Sequence, residues 1–191
     1  MTTNLAAKLP ATDYDFHPDG APVPALGESY GGGYVGALIP WFDGTRIIAI
    51  LADAADGDFA GAPWDPDSED APGATSLIDG LANSIGIDDD RHPQAQRCRA
   101  YRAGGHEDWH LPSHMVQLHL QANCCPLWTM IDIFKEGAPQ AYKPVPYWSS
   151  SQSQFVPSFA WAQFFGFGNS NCWNKIIEFR ARAVRIVIIR N

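Results

Sequence analysis

The sequence predicts an α+β domain in which two helices pack on small antiparallel sheets joined by long loops. Three observations predict it. Helical segments with cap signals are confined to the middle of the chain, between His92 and Asn123. Apolar alternation and turn signals flank them on both sides, from Tyr30 to Leu51 and from Phe159 to Ile189. Between the first strands and the first helix runs an acidic stretch rich in Gly and Pro, which reads as a long loop. At 191 residues the chain is the size of one domain and can bury a sizeable core.

The elements follow in order. Residues 1–27 are rich in Pro, Asp and Ala without periodicity and read as an extended arm; residues 28–191 read as the domain. Apolar runs from Tyr34 to Ile39 and from Ile47 to Leu51 flank Asp43-Gly44, a strong hairpin signal. The triple glycine Gly31-Gly32-Gly33 precedes a strand rather than a helix and lacks the Lys-Ser/Thr ending of a phosphate loop. The acidic loop spans Asp53 to Pro72, and Asp79-Gly80 reads as a turn. A helix is expected from His92 to Ala103, with Pro93 in its first turn and Gly104-Gly105 ending it. A second starts at Ser113 as N-cap and runs to about Asn123, with Met115, Leu118 and Cys125 inward, until Pro126 stops it. Phe159 to Phe165 alternates large and small residues as a strand, and Gly166 to Asn171 follows as a loop or hairpin end. Arg180 to Ile189 alternates and then becomes apolar on both faces, as a central strand does.

Composition excludes several function classes. The formal charge of −8 argues against nucleic acid, because phosphate binding needs a basic surface. The longest strongly apolar run, Val184 to Ile189, is strand-sized, and membrane insertion is not expected. The N-terminus has no apolar signal core, so synthesis and folding in a cytoplasm are expected. Cys98, Cys124, Cys125 and Cys172 show no metal-ligand spacing and read as reduced, mostly buried thiols.

One motif invites a metal. Residues 106–110 spell HEDWH, the H-E-x-x-H pattern of zinc metalloproteases, whose chemistry needs a helix to bring both imidazoles onto one face. Gly104-Gly105 precedes it and Pro112 follows, pushing Leu111 to an extended conformation, so no such helix is expected. No G-x-S-x-G elbow occurs either. No catalytic residue, metal ligand or cofactor is assigned.

The feature that points to a function is compositional. Residues 144–174 carry no charged side chain, whereas Asp, Glu, Lys and Arg make up 18% of the chain. The stretch holds Tyr147, Trp148, Phe155, Phe159, Trp161, Phe164, Phe165, Phe167 and Trp173, with Ser, Asn, Gln and Gly between them. Rigid rings and short adaptable amides are the composition of a binding face, although rings also build cores. Asn169, Asn171 and Asn174 lie there without any Asp or Glu, so a calcium-dependent sugar site in this segment is not expected.

Several segments together resemble the Lcl C-terminal-like family of bacterial, phage and prophage proteins. They are HPQAQRCRAYRAGGHEDWHLPS (92–113), YWSSSQ (147–152), FAWAQFFGFG (159–168), NK (174–175) and RARAVR (180–185), with GESYGGGYVGAL (27–38) and DGLANS (79–84) upstream. The resemblance covers roughly residues 27–190. It implies a C-type-lectin-like fold in which the first hairpin pairs with the last strand and brings the termini close. It also implies that DWHLPS closes a strand-like turn onto a helix, that Trp148 and Trp161 are scaffold, and that the RARAVR arginines support the loops. This chain departs from relatives in starting its helix with His114-Met115-Val116-Gln117 rather than an acidic run, and in the ring content of Phe164 to Trp173. Formylglycine-generating enzymes share the architecture but need a copper-binding cysteine pair near the C-terminus, where this chain has only Cys172.

The resulting expectation is a non-enzymatic binding module. It is a phage or prophage tail-fibre or tail-tip protein, exposed on the virion, that recognises a host-surface receptor, either a glycan or a protein such as pilin. The expected contact residues are Ser151, Gln154, Phe155, Phe165, Phe167, Asn169, Asn171, Trp173 and Asn174. Other virion subunits and further copies of the chain are the expected partners. The alternatives are a structural subunit whose aromatic face is an assembly interface and a glycan-degrading enzyme.

Overall fold

The computed structural model describes residues 14–41 and 44–190. Among them the chain is a mixed α+β fold of three helices and two five-stranded mixed sheets. The first sheet contains β1 (Asp15–Phe16), β2 (Ser29–Tyr30), β3 (Gly33–Pro40), β4 (Arg46–Leu51) and β10 (Val184–Ile189), in the order β1-β10-β4-β3-β2. β3 and β4 form the expected hairpin; its Asp43 lies outside the described residues. β10 pairs antiparallel with β4 and parallel with β1, so Asp15 stands opposite Val187 and the two ends of the described chain meet. Flanked on both sides, β10 is buried along its whole length. Tyr14 joins the core, and after β1 the chain passes through turns at 19–20 and 26–27 before β2.

The second sheet contains β5 (Asp58–Ala62), β6 (Pro146–Gln152), β7 (Phe159–Phe164), β8 (Ser170–Asn174) and β9 (Phe179–Arg182), in the order β5-β9-β6-β7-β8. Arg180 to Ile189 is therefore not one strand. The chain leaves the second sheet at Arg182, passes the buried Ala183 and enters the first at Val184. Ala183 is fixed on both sides, its N–H donating to Gly57 O at 3.0 Å and its carbonyl accepting from Ala52 N at 2.9 Å. The flanking arginines pin the loops at this switch. Arg182 donates to Ala52 O at 2.9 and 2.7 Å and to Gln140 at 2.8 and 2.7 Å, while Arg180 pairs with Asp58 at 3.0 Å.

The helices are α1 (Gly80–Gly86), α2 (Pro93–Ala100) and α3 (His114–Cys124). α1 corrects the expectation of a turn at Asp79-Gly80: Asp79 is its N-cap and accepts from Ala82 N at 2.9 Å. The first expected helix is α2 and ends three residues early, and the second is α3, capped by Ser113 as expected. α3 lies between the two sheets, and its inner face differs in part from the expected one: Cys125 is buried as expected, but Met115 and Leu118 do not lead it. His114, Val116, Gln117, Leu120, Gln121 and Cys124 are buried, whereas Met115 and Leu118 are half-buried. One side of α3 meets β3 at a bulge, where Gly36 has no side chain to clash with Leu120 and its carbonyl accepts from Asn123 Nδ2 at 3.2 Å. The other side faces β6 and β7, with Gln117 Nε2 donating to Trp148 O at 2.8 Å.

The triple glycine serves this packing rather than a phosphate. A Cβ on Gly33 would stand 2.1 Å from Leu51 O, and Gly31 and Gly32 hold φ of 57° and 85° in the turn between β2 and β3. No described helix is long and apolar enough to cross a membrane.

Candidate functional site

β6, β7 and β8 carry most of the uncharged segment, and their pairing separates side chains that are neighbours in sequence. On one face Trp148 stands opposite Ala162, and Ala160 opposite Trp173. Trp148 is fully buried and packs on Phe179 at 4.6 Å. The opposite face meets α3: Trp161 stacks on His114 with centroids 4.1 Å apart, and Gln163 is buried beneath the helix. Burial holds the His114 imidazole down to a pKa of about 4, so it is neutral in this stack near pH 7. Trp161 is half-buried and gains its support from this single ring contact and its strand neighbours.

The nine expected contact residues do not form one face. Phe165 is fully buried, stacked on Tyr142 at 3.6 Å and 5° and set edge-on to Tyr147 at 5.4 Å. Ser151 is also fully buried; its Oγ donates to Ser76 O at 2.7 Å and accepts from His114 N at 3.1 Å. These two residues are framework, not contact residues, because their groups are already spent inside the protein. The remaining seven divide along β7, whose ends stand roughly 17 Å apart at the usual rise per strand residue. Gln154, Phe155 and Asn174 lie at the end where β6 turns into β7 and β8 ends. Asn174 is committed locally, its Oδ1 accepting from Ser68 Oγ at 2.9 Å and Ile176 N at 3.1 Å. Phe167 and Asn169 lie at the other end, on the turn joining β7 to β8, with the exposed Asn171 just inside β8. Trp173 leans edge-on against Phe179 at 5.7 Å and is only partly open.

The turn after β7 is the more developed of the two ends. Phe164 closes it in both directions: its N–H donates to Asn169 O at 2.9 Å, and Gly168 N donates to Phe164 O at 2.9 Å. Gly168 sits at φ 75° with its Cα against the Trp128 ring, where a Cβ would come within 2.4 Å of the indole. Phe167 projects outward, 78% exposed, and touches Phe164 edge-on at 4.7 Å. Cys125 Sγ, donating to Phe165 O at 3.0 Å, ties the loop after α3 to the same turn. That loop brings Leu127, Trp128 and Met130 to the surface, 58%, 46% and 87% exposed. Sequence reasoning missed these three residues. Their signal was an apolar run, Pro126-Leu127-Trp128-Thr129-Met130, placed after a helix stop and outside any strand pattern.

Of the two lysines that border the uncharged segment, Lys143 is exposed and Lys175 points inward. Lys175 is fully buried, its Nζ donating to Gln152 Oε1 at 2.6 Å and to Glu69 O, with the Trp64 ring 4.5 Å away. Burial lowers its pKa to about 8. The acidic loop is likewise not wholly solvated. Asp65 is fully buried and accepts from Asp67 N at 2.9 Å and Glu69 N at 3.2 Å, so it shapes the loop that Lys175 closes.

The HEDWH segment is not helical. His110 is buried, bridges to Val184 in both directions at 2.8 and 2.9 Å, and is held neutral by burial, with a pKa of about 4. His106 lies on a separate, half-exposed surface. The described cysteines are all free thiols; Cys98, Cys124 and Cys125 are buried. A comparison of the sequence with protein-family models gives no match, and a comparison with curated proteins gives none either.

Proposed function

We propose that this chain is a non-enzymatic ligand-binding module with a C-type-lectin-like fold, related to the Lcl C-terminal-like proteins, and that it serves as a phage or prophage tail-fibre or tail-tip protein recognising a host-surface receptor. One observation carries the binding reading. Phe167 on the turn after β7, and Leu127, Trp128 and Met130 on the loop after α3 that meets this turn through Trp128, are presented to solvent next to a strand pair free of charge. Exposing that much apolar surface costs stability in water, and such surface marks interaction sites. The lectin-like reading is supported by the pairing of β4 with β10 and by the closeness of the two ends of the described chain.

The test is binding of fluorescently labelled protein to bacterial cells of a susceptible host. Phe167→Ala combined with Trp128→Ala should weaken cell binding more than about tenfold while the urea midpoint stays near the parent value. Unchanged binding in a folded double variant overturns the assignment of this face. Leu127 and Met130 favour a second reading, since flexible aliphatic side chains suit a protein surface better than a sugar ring. In that reading the patch is an assembly interface between virion subunits. A stable oligomer of the isolated chain that dissociates in the double variant would support it.

A further inference from the structure

We propose that Asp15, His106 and Asp108 form a binding site for one divalent transition-metal ion of the Zn²⁺ or Mn²⁺ type, which fastens β1 to the loop preceding α3. The three side chains come from remote parts of the sequence. Asp15 is placed by its parallel pairing with β10. His106 and Asp108 lie two apart in a non-helical segment, and in extended backbone residues so spaced share a side. The ligand atoms that the three offer all lie within 4.8 Å of one another. They line a solvent-open cavity of about 460 Å³ together with Arg99, Glu107, Leu81 and Ile85, so an ion has room to enter and to keep waters.

Two details separate this set from an ordinary solvated acidic patch. Asp108 uses only one carboxylate oxygen: Oδ1 accepts from Arg185 Nε at 2.7 Å, while Oδ2 is out of contact with solvent and has no hydrogen-bond partner. A buried carboxylate oxygen without a donor is costly and calls for a cation or a donor in front of it. Arg185 is itself 99% buried by side chain, and it also pairs with Asp15. It therefore sits behind both carboxylates and orients them, as outer-shell partners do around metal ligands. The charged groups lining the cavity are Asp15, Glu107 and Asp108 against Arg99; with Arg185 behind the carboxylates counted as well, one negative charge is in excess. One imidazole with two carboxylates suits Zn²⁺ or Mn²⁺, whereas Ca²⁺ and Mg²⁺ favour all-oxygen sets. This is a different site from the helical zinc pair that the HEDWH spelling suggests: it uses His106 but neither Glu107 as base nor the buried His110.

The experiment is calorimetric titration of the full chain with ZnCl₂, MnCl₂ and, for comparison, CaCl₂. A Cys172→Ser variant is titrated alongside, because Cys172 is the one half-exposed thiol among the described residues. Expected are one Zn²⁺ or Mn²⁺ per chain, unchanged by Cys172→Ser, and weaker binding of CaCl₂. His106→Gln should reduce affinity at least about tenfold, because losing even an outer-shell partner costs that much. Its circular dichroism in EDTA should match the parent, since His106 is half-exposed and has one long ion pair, 3.6 Å to Asp15. Asp108→Asn gives a second, independent ligand loss. The proposal is overturned if neither ion binds saturably, if binding disappears in Cys172→Ser, or if folded His106→Gln and Asp108→Asn both bind like the parent.

Discussion

Phe165 and Phe167 are two residues apart, yet the structure gives them opposite tasks, and truncating each in turn separates them. Phe165 has no exposed surface and stacks on Tyr142 at 3.6 Å, edge-on to Tyr147. Removing a buried phenylalanine ring costs about 3–5 kcal/mol, from lost transfer energy and the cavity left behind. The stacked partners add to this, because aromatic pairs are worth about 0.5–1.5 kcal/mol beyond their area. For a domain of this size 1 kcal/mol moves Tm by about 2–4 °C, so Phe165→Ala should lower Tm by roughly 6–20 °C. Phe167 is 78% exposed and its ring meets only the edge of Phe164. Phe167→Ala should therefore change stability by less than about 1 kcal/mol. Thermal and urea unfolding followed by circular dichroism would measure both. An unchanged Tm in Phe165→Ala, or a loss above about 2 kcal/mol in Phe167→Ala, would refute the division between framework and presented ring.

Two further predictions concern pH and backbone packing. His110 and His114 are held near pKa 4 by burial, against about 6.5 in an unfolded chain. Both forms are neutral above pH 6.5, but below it the unfolded chain takes up protons that the folded chain refuses. Stability should fall as pH drops from about 6.5 to about 4, by roughly 3 kcal/mol for His110 alone, and urea midpoints across that range would show it. A flat profile would sink the assignment of neutral buried imidazoles. Gly33→Ala should cost at least about 2 kcal/mol, because its Cβ would meet the Leu51 carbonyl of the paired strand at 2.1 Å. Gly105→Ala, with φ 77° but open space around it, should cost only about 1–2 kcal/mol of backbone strain; equal losses at the two sites would argue against the close strand approach.

Local signals were legible in the sequence wherever a few adjacent residues decide the outcome. Ser113 as N-cap and Pro126 as stop bound α3, the alternation from Phe159 marks β7, and Pro112 denies HEDWH its helix. Asp79-Gly80 misled because a capping Asp and a turn Asp look alike in sequence, and only the Ala82 amide that Asp79 accepts distinguishes them.

Tertiary structure alone decided the rest. The pattern from Arg180 to Ile189 is continuous, yet the chain changes sheets at Ala183 because Gly57 and Ala52, some 130 residues upstream, capture its backbone. Nothing in the run Phe164-Phe165-Gly166-Phe167 tells which ring is buried; Tyr142 and Tyr147 take one, and the turn held by Gly168 and Trp128 presents the other. The candidate face lost Ser151 and Phe165 and gained Leu127, Trp128 and Met130 for the same reason. Secondary structure depends on spacing within a turn or a strand, whereas burial and site assembly depend on which distant residues arrive.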